Sequence, residues 1–131
     1  GNMIDKLKTA FIGSIDREGF PNIKAMLQPR KREGIKTIYL TTNTSSMRVA
    51  QYRKNSHACI YFCDTRFFRG VMLRGTMEVL TDPASKEMIW QEGDIMYYPE
   101  GVTDPDYCVL KFTATSGRFY SNFKSESFIV E

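Results

Sequence analysis

The chain has 131 residues, the usual size of one folded unit, so we predict a single domain over residues 1–131. Its 42% hydrophobic content, with nine Phe and seven Tyr, is enough for a core, and no apolar run is long enough to predict a transmembrane helix. The net charge of +3 is uneven: residues 1–55 carry eleven Lys or Arg against four Asp or Glu, and residues 56–131 carry seven against eleven. The basic half indicates an anionic partner, and the acidic half argues against a broad nucleic-acid surface, which favours a small, local anion.

In chain order, the pattern begins with a short amphipathic helix, and alternating apolar residues then predict a series of strands. Glycine-containing turns and charged loops separate these strands. Predicted helices cover residues 3–9, 47–54 and 83–91, and predicted strands cover residues 10–16, 21–28, 35–41, 57–64, 66–81, 107–115 and 118–121.

Two of these strands have distinctive features. The strand 57–64 is nearly continuously apolar from Ala58, which predicts burial on both faces. The strand 66–81 contains Gly70 and Gly75, which predict bends or bulges of the kind found at barrel corners. Antiparallel hairpins with such glycines indicate a mainly β fold, a small barrel with minor helices, rather than a parallel sheet.

Three cysteines, Cys59, Cys63 and Cys108, form no tight pair, and their spacing fits neither a zinc motif nor a disulfide framework. Small buried thiols in a reducing compartment are the simplest interpretation. The N-terminus also has no charged-then-apolar secretory leader. We therefore expect a cytoplasmic protein with no membrane partner and no metal site.

Catalytic motifs are mostly absent. The sequence has one histidine, His57, at a predicted strand start, no serine in a nucleophile-elbow setting and no glycine-rich phosphate loop. A hydrolase or a nucleotide kinase therefore has little support.

The helix 47–54 begins with an unusual charge. Ser45 or Ser46 can cap it, yet its first turn offers Arg48, and no acid occurs between Thr41 and Asn55. Helix N-termini favour anions, so a bound phosphate can take the place of the missing acid, and Arg48 can donate hydrogen bonds to it. A solvated arginine on an exposed helix explains the same residues equally well.

Several segments in order resemble the pyridoxamine 5′-phosphate oxidase-like FMN-binding split barrels, in particular the small general stress protein type. They are "FPNIKAM", "YLTTNTSSMRVAQYRKN", "VMLRGTMEVLTDP" and "YYPEGVTDPDYCVLKFTATSGRFY". The most specific element is the pattern T-N-x-x-S-x-[KR]-x-x-Q, which begins at Thr42 and ends at Gln51. The resemblance implies a six-stranded antiparallel split β-barrel that forms a homodimer, with FMN bound at the subunit interface.

The same resemblance implies a set of cofactor-binding residues. Phosphate contacts fall on Lys24, Ser46 and Arg48, with Met47 standing where the vitamin B6 oxidases carry a second basic residue. The remaining predicted contacts lie along the flavin ring and the ribityl chain: Ala25, Met26, Leu27, Thr41, Thr42 and Gln51. Trp90 and the region of Tyr120 are candidates for contacts from the second subunit.

Departures from the family pattern limit the functional prediction. The B6 oxidases end in an Arg-x-His segment that grips the substrate phosphate, whereas this chain ends "SNFKSESFIVE". We therefore predict an FMN-dependent oxidoreductase of unknown substrate rather than a vitamin B6 oxidase. The alternatives are a non-catalytic flavin-binding stress-response protein, an F420- or haem-binding split barrel, and a barrel whose basic half binds nucleic acid.

Overall fold

The computed structural model describes residues 2–131, which form eight strands, three α-helices and two 3₁₀ turns. Within this range no helix is long and apolar enough to cross a membrane. In chain order the elements are α1 (Asn2–Lys6), β1 (Thr9–Ile15), β2 (Pro21–Leu27), β3 (Lys31–Glu33), β4 (Thr37–Asn43), α2 (Met47–Lys54), β5 (His57–Asp64), β6 (Arg69–Leu80), α3 (Pro83–Ile89), the 3₁₀ turns Glu92–Met96 and Gly101–Thr103, β7 (Tyr107–Ser121) and β8 (Lys124–Ile129).

The strands form one antiparallel sheet in the order β2-β1-β5-β6-β7-β4-β3, with β8 also paired to β7. The long strand β7 organises this sheet. One of its edges pairs with β6, and the other pairs first with β4 and then, beyond residue 115, with β8. The sheet coils around a core built from inward side chains of five strands, including Ile12, Leu40, Ile60, Leu73 and Phe112, all of which are fully buried.

The prediction of a mainly β, antiparallel fold with minor helices is confirmed. Six strands have seven residues or more, and the shorter β3 and β8 are additional. The sequence of β8, "KSESFI", does not predict a strand, because four of its six positions are polar and most are exposed. The predicted strands 107–115 and 118–121 are one strand, because Gly117 lets the backbone of β7 pass under the ring of Phe128.

The prediction that β5 is buried on both faces is wrong. Ile60 and Phe62 point into the core, but Tyr61 on the outer face is 39% exposed. Its ring lies across β6 at Gly70, where an added Cβ would come 2.8 Å from the ring carbon that carries the hydroxyl. The apolar run therefore belongs to a strand whose outer face is only partly covered by residues 2–131.

The predicted helices are confirmed with shifted ends. The helix α2 spans Met47–Lys54 as predicted, and Ser46 caps it. The helix α3 starts after its predicted cap, Asp82, whose carboxylate accepts the Ser85 N–H at 3.0 Å, but it ends at Ile89 rather than at residue 91. The N-terminal helix α1 ends at Lys6, short of the predicted residue 9, because β1 begins at Thr9.

The predicted bulge at Gly75 is confirmed, since the pairing of β6 with β7 shifts between Arg74 and Gly75. An added Cβ at Gly75 would overlap the backbone carbonyl of Thr113 and lie 2.9 Å from the Cα of Ala114.

We expect Gly75→Ala to lower the free energy of unfolding by about 1–3 kcal/mol, because backbone atoms must shift to admit the methyl group. Thermal unfolding monitored by circular dichroism measures the loss.

A matched control is Gly93→Ala, because nothing lies within 4 Å of a Cβ at that position. Its midpoint should stay close to that of the parent. If both variants unfold at the parent temperature, the close approach of β6 to β7 is not a constraint on residue 75.

Candidate functional site

A cleft of about 310 Å³ lies between the C-terminal parts of β2 and β4, the start of α2 and the first 3₁₀ turn. Six of the nine residues predicted to bind a cofactor line it: Ala25, Met26, Leu27, Thr41, Thr42 and Arg48. These residues come from three separate segments of sequence. The fold therefore gathers most of the predicted site in one place.

The start of α2 supplies cationic character to this cleft. The first turn contains no acid, and its N–H groups have no intrahelical acceptors. Ser46 Oγ accepts the N–H of Val49 at 3.3 Å, which satisfies one of them. Arg48 is half-buried, and its Nε is a buried donor with no protein partner in the part of the chain that the structure describes. A buried N–H without an acceptor is costly, so this geometry favours an anion beside Arg48.

The loop before α2 is held by an acid that is distant in sequence. The carboxylate of Asp106 accepts the N–H of Ser45 at 2.8 Å, and its backbone carbonyl accepts the N–H of Thr44 at 2.7 Å. Asp106 thus binds loop amides that precede the helix and leaves the amides of the first turn to other acceptors. Because Asp106 lies just before β7, sequence inspection of residues 41–55 does not reveal it.

Three predicted site residues lie outside the cleft lining. Lys24 is exposed on β2, opposite Ile12 of β1. The side chain of Ser46 caps α2. Gln51 points inward, is buried and accepts a hydrogen bond from the hydroxyl of Ser14. Their assignment as cofactor ligands remains a prediction carried by the resemblance.

The remaining lining residues were missed by sequence reasoning. They are Arg30, Asn43, Asp94, Tyr97 and Tyr98. Asn43 belongs to the quoted motif, and Tyr97 and Tyr98 begin the last quoted segment, although no role was assigned to them. Arg30 lies in a charged loop and Asp94 in a 3₁₀ turn, where no periodicity predicts which side chain faces inward. The only signal available was the cluster of aromatic residues in "IMYYPEG".

Two polar contacts attach this missed segment to the barrel. Arg30 forms a two-pronged ion pair with Asp94, with Nη2–Oδ1 at 2.6 Å and Nη1–Oδ2 at 2.9 Å. The hydroxyl of Tyr98 donates to Asn43 Oδ1 at 2.8 Å. The segment around the 3₁₀ turn is therefore fixed against the residue before β3 and the last residue of β4, where it forms one wall of the cleft.

An aromatic cluster supports this wall from behind. The rings of Trp90, Tyr98 and Tyr107 lie within 5.1–6.5 Å of one another. Burial raises the pKa of Tyr98 and that of Tyr107 to about 12, so both hydroxyls stay protonated at neutral pH. Trp90, a candidate for contacts from a second subunit, packs in this cluster of its own chain. Tyr120, the other candidate, packs against Phe68 with ring centroids 6.3 Å apart.

A separate groove of about 620 Å³ lies on the outer face of β1, β2, β5 and β6. It is largely apolar and includes Ile23 and His57 among its lining residues. His57 is exposed there and does not line the cleft beside α2. The sole histidine of the chain is thus separate from the predicted cofactor site.

The described residues thus form an antiparallel barrel with a cleft that contains a helix N-terminus and an arginine whose Nε has no acceptor among residues 2–131. A family model described as pyridoxamine 5′-phosphate oxidase matches residues 2–121. The chain belongs to this family, and the resemblance inferred from its motifs is confirmed.

One solved structure supports the same family, and two others share the fold. A protein from Clostridium acetobutylicum related to general stress protein 26 of B. subtilis, of the pyridoxinephosphate oxidase family, is 43% identical, with a TM-score of 0.90 over 98% of this chain and 90% of that one. General stress protein 26 from Bacillus anthracis is 14% identical, with a TM-score of 0.80 over 98% and 94% of the two chains. A pyridoxamine 5′-phosphate oxidase-related, FMN binding protein from Nostoc punctiforme is 11% identical, with a TM-score of 0.69 over 99% and 92%. No curated protein matches. The predicted split-barrel fold is confirmed by these similarities.

Proposed function

We propose that the cleft beside α2 binds FMN and that the protein is a flavin-dependent oxidoreductase, distinct from the vitamin B6 oxidases. The observation that carries the proposal is Arg48, whose buried Nε lacks an acceptor among residues 2–131 and lies at a helix N-terminus with no acid in its first turn. A phosphate provides acceptors for both the guanidinium and the backbone amides. The FMN-binding relative from Nostoc punctiforme supports the choice of cofactor.

The strand β2 offers a suitable wall for the flavin ring. It is at the edge of the sheet, and within residues 2–131 it pairs with β1 alone, so about half of its backbone N–H and C=O groups have no strand partner there. Ala25, Met26 and Leu27 of this strand line the cleft, and alternate residues among them direct their backbone N–H and C=O groups away from β1. Backbone donors and acceptors in alternation suit the polar edge of a flavin, and the small side chain of Ala25 leaves room for close approach.

When bound, FMN supplies the hydride or electron transfer. The residues of the chain bind, orient and shield it. Arg48 holds the phosphate, the backbone of β2 orients the ring, and Thr41 and Thr42 lie at the end of β4 between these two regions. Tyr97 and Tyr98 exclude water from the opposite wall.

We also propose that the chain works as a homodimer with the cofactor at the interface. The cleft is at the lower end of the range of about 300–1,000 Å³ for ligand pockets, so a second surface is needed to enclose a molecule as large as FMN. Large apolar side chains are exposed here, among them Ile23 on the outer face of the sheet and Phe20 in the turn before β2. Exposed apolar patches of this kind mark interaction surfaces.

The first alternative, a non-catalytic flavin-binding stress-response protein, has one supporting observation. The single carboxylate that lines the cleft, among residues 2–131, is Asp94, and it is paired with Arg30. No free general base is therefore placed there. The haem alternative is less consistent with the site, because His57 lies on the outer face.

The decisive experiment is a titration of FMN with the purified protein, followed by the quenching of flavin fluorescence. We expect saturable binding of one FMN per chain, and the absorbance spectrum of the protein as purified distinguishes flavin from F420 and haem. No quenching and no flavin in the spectrum would disprove the proposal.

Anaerobic addition of NADPH then separates the two flavin hypotheses, since only an oxidoreductase that uses this donor bleaches the flavin band. Sedimentation of the same sample gives the oligomeric state.

A further inference from the structure

A further cavity, of about 690 Å³, lies between α1 and the hairpin that joins β5 to β6. It shares no lining residue with the cleft beside α2 or with the groove on the outer face. Because side chains alternate between the two faces of a strand, Arg69 lies on the same face of β6 as the core residue Leu73. Phe119 pairs across the strands with Val71, which packs against the core. These lining residues are therefore on the inner side of the sheet and not on the outer face that carries Ile23.

The lining of this cavity contains more cations than acids. Positive charge comes from Lys6, Arg66 and Arg69. Among residues 2–131, Asp64 is the only carboxylate in the lining. Asp64 already has partners, since it accepts the Nη2–H of Arg69 at 3.0 Å and the backbone N–H of Arg66 at 3.1 Å. The hydrogen bond from Arg69 lowers the pKa of Asp64, so the acid is ionised at neutral pH and its charge is committed to holding the hairpin.

The ring of Phe67 brings two of these cations close together. The guanidinium carbons of Arg66 and Arg69 lie 5.2 and 5.1 Å from its centre. Cation–π attraction favours each contact, but two like charges on one ring repel each other. The Nε of Arg69 is also a buried donor that has no acceptor among residues 2–131. A buried N–H without an acceptor is costly, so both features favour an anion beside these arginines.

The turn that carries Phe67 has a defined geometry. The next residue, Phe68, has a φ of 51°, in the left-handed region that bulky residues rarely adopt. Its ring packs edge-on against Tyr120, with the ring centroids 6.3 Å apart. Phe67 therefore lines the cavity and Phe68 does not. The positions of the two arginines follow from this turn and from the contacts of Asp64 described above.

Much of the remaining lining is apolar. Met3 and Leu7 are half-buried and pack against the core, and Phe119 is 36% exposed. The volume lies within the range of about 300–1,000 Å³ that is usual for small-molecule sites. A ligand with an apolar body gains stability by covering these side chains.

We infer that this cavity is a second binding site, for a small anion with an apolar body, such as an aryl or alkyl carboxylate. The carboxylate of the ligand accepts hydrogen bonds from Arg66 and from the Nε of Arg69, and its body lies against Leu7 and Phe119. The inference does not rest on flavin binding, because the two sites have no lining residue in common.

The test compares two probes of the same shape and different charge, 2-naphthoate, which is anionic, and 2-naphthamide, which is uncharged. Isotope-labelled protein is titrated with each probe, and the backbone amide signals are followed by NMR. We expect saturable shifts at residues 64–69 and binding of 2-naphthoate at least about tenfold tighter than that of 2-naphthamide. Equal affinities would overturn the inference, as would shifts confined to the cleft beside α2.

A charge variant tests the arginine directly. Arg66→Gln should weaken 2-naphthoate binding about tenfold and leave 2-naphthamide binding unchanged. The fold should be retained, because Arg66 is exposed and its hydrogen bond to Asp64 comes from the backbone. The matched control is Arg53→Gln, which removes the same charge from an exposed residue outside this lining. Parent-like 2-naphthoate affinity in Arg66→Gln would contradict the proposed site.

A second variant tests the aromatic platform. Phe67→Leu keeps an apolar side chain but removes the ring, and it should weaken 2-naphthoate binding more than 2-naphthamide binding. Equal losses for the two probes would show that the ring does not organise the arginines. An FMN titration of each variant should match the parent, which separates a failure at this cavity from a failure of the flavin proposal.

The headgroups of an anionic membrane offer the same combination of negative charge and apolar surface. Cosedimentation with phosphatidylglycerol vesicles distinguishes the two sources. Protein that binds 2-naphthoate and stays in the supernatant supports a free ligand. Vesicle binding that is lost in Arg66→Gln would assign these arginines to a membrane surface and overturn the small-ligand site.

Discussion

Replacing Arg48 with glutamate is expected to weaken FMN binding about tenfold to a hundredfold. A charge-assisted hydrogen bond contributes about 1.5–3 kcal/mol, and each 1.4 kcal/mol is about a factor of ten in affinity. The substitution also places a carboxylate beside the phosphate. The fold should be unaffected, because an acid in the first turn of α2 interacts favourably with the helix dipole. Fluorescence titration measures the affinity, and thermal unfolding of the cofactor-free protein measures the stability.

Arg53→Glu is the matched control for this prediction. Arg53 is exposed in the last turn of the same helix and does not line the cleft. The variant changes the net charge equally, so a general electrostatic effect weakens FMN binding in both proteins. Only a local phosphate contact weakens it in Arg48→Glu alone. Parent-like affinity in Arg48→Glu would show that the phosphate is held elsewhere.

The second large effect is expected at the Arg30–Asp94 pair. Asp94→Ala should lower the free energy of unfolding by about 3 kcal/mol, because it leaves the guanidinium of Arg30 buried without its counter-ion. It also leaves the N–H of Gln91 without its acceptor. Urea denaturation followed by tryptophan fluorescence measures the loss, since Trp90 lies in the adjacent aromatic cluster.

The chain contains a second ion pair with the same two-pronged geometry, which provides the control. Asp5 accepts two hydrogen bonds from Arg32, at 2.8 and 2.7 Å, but its side chain is 57% exposed. Asp5→Ala should therefore cost much less than Asp94→Ala, because solvent already screens the pair. Similar losses in the two variants would indicate that burial does not determine the strength of the Arg30–Asp94 pair.

The stabilisation by Asp94 also has a defined pH dependence. The pKa of Asp94 is lower in the folded chain than the value of about 3.9 expected when unfolded. The unfolded chain therefore binds the proton first, and the contribution of Asp94 is fully present above about pH 4 and declines as the pH falls through the folded pKa. The difference in stability between the parent and Asp94→Ala should shrink accordingly on acidification.

The sequence predicted the fold well because the residue pattern within most strands is enough to identify them. Alternating apolar residues located β1, β2 and β4, and the Gly75 bulge was visible as a glycine within a long strand. The strand β8 was not predictable in this way, since Phe128 alone among its residues packs against the core and the rest of the strand is held by backbone pairing to β7. Pairing of this kind depends on a partner strand that local periodicity does not reveal.

The residues of the candidate site also fall into two groups, those predictable from a local segment and those that depend on distant partners. Motif order predicted the residues on β2, β4 and α2, because each belongs to a continuous segment with a fixed local geometry. The opposite wall was not predictable. It depends on ion pairing between Arg30 and Asp94 and on the hydrogen bond between Tyr98 and Asn43, both of which join residues far apart in the chain. The inward position of Gln51 was also missed, because its partner Ser14 lies on β1.

The strand β7 is synthesised long after its partner β4, and this delay affects folding during synthesis. The strand β4 pairs with the short β3 and with β7, where Leu40 faces Leu110. A nascent chain therefore completes β4 and α2 long before residues 107–113 leave the ribosome, and until then one edge of β4 and much of its apolar face stay uncovered. Strands that wait for a distant partner fold slowly and are exposed to aggregation. The interval between the synthesis of the two strands is thus the period in which the apolar face of β4 is most exposed.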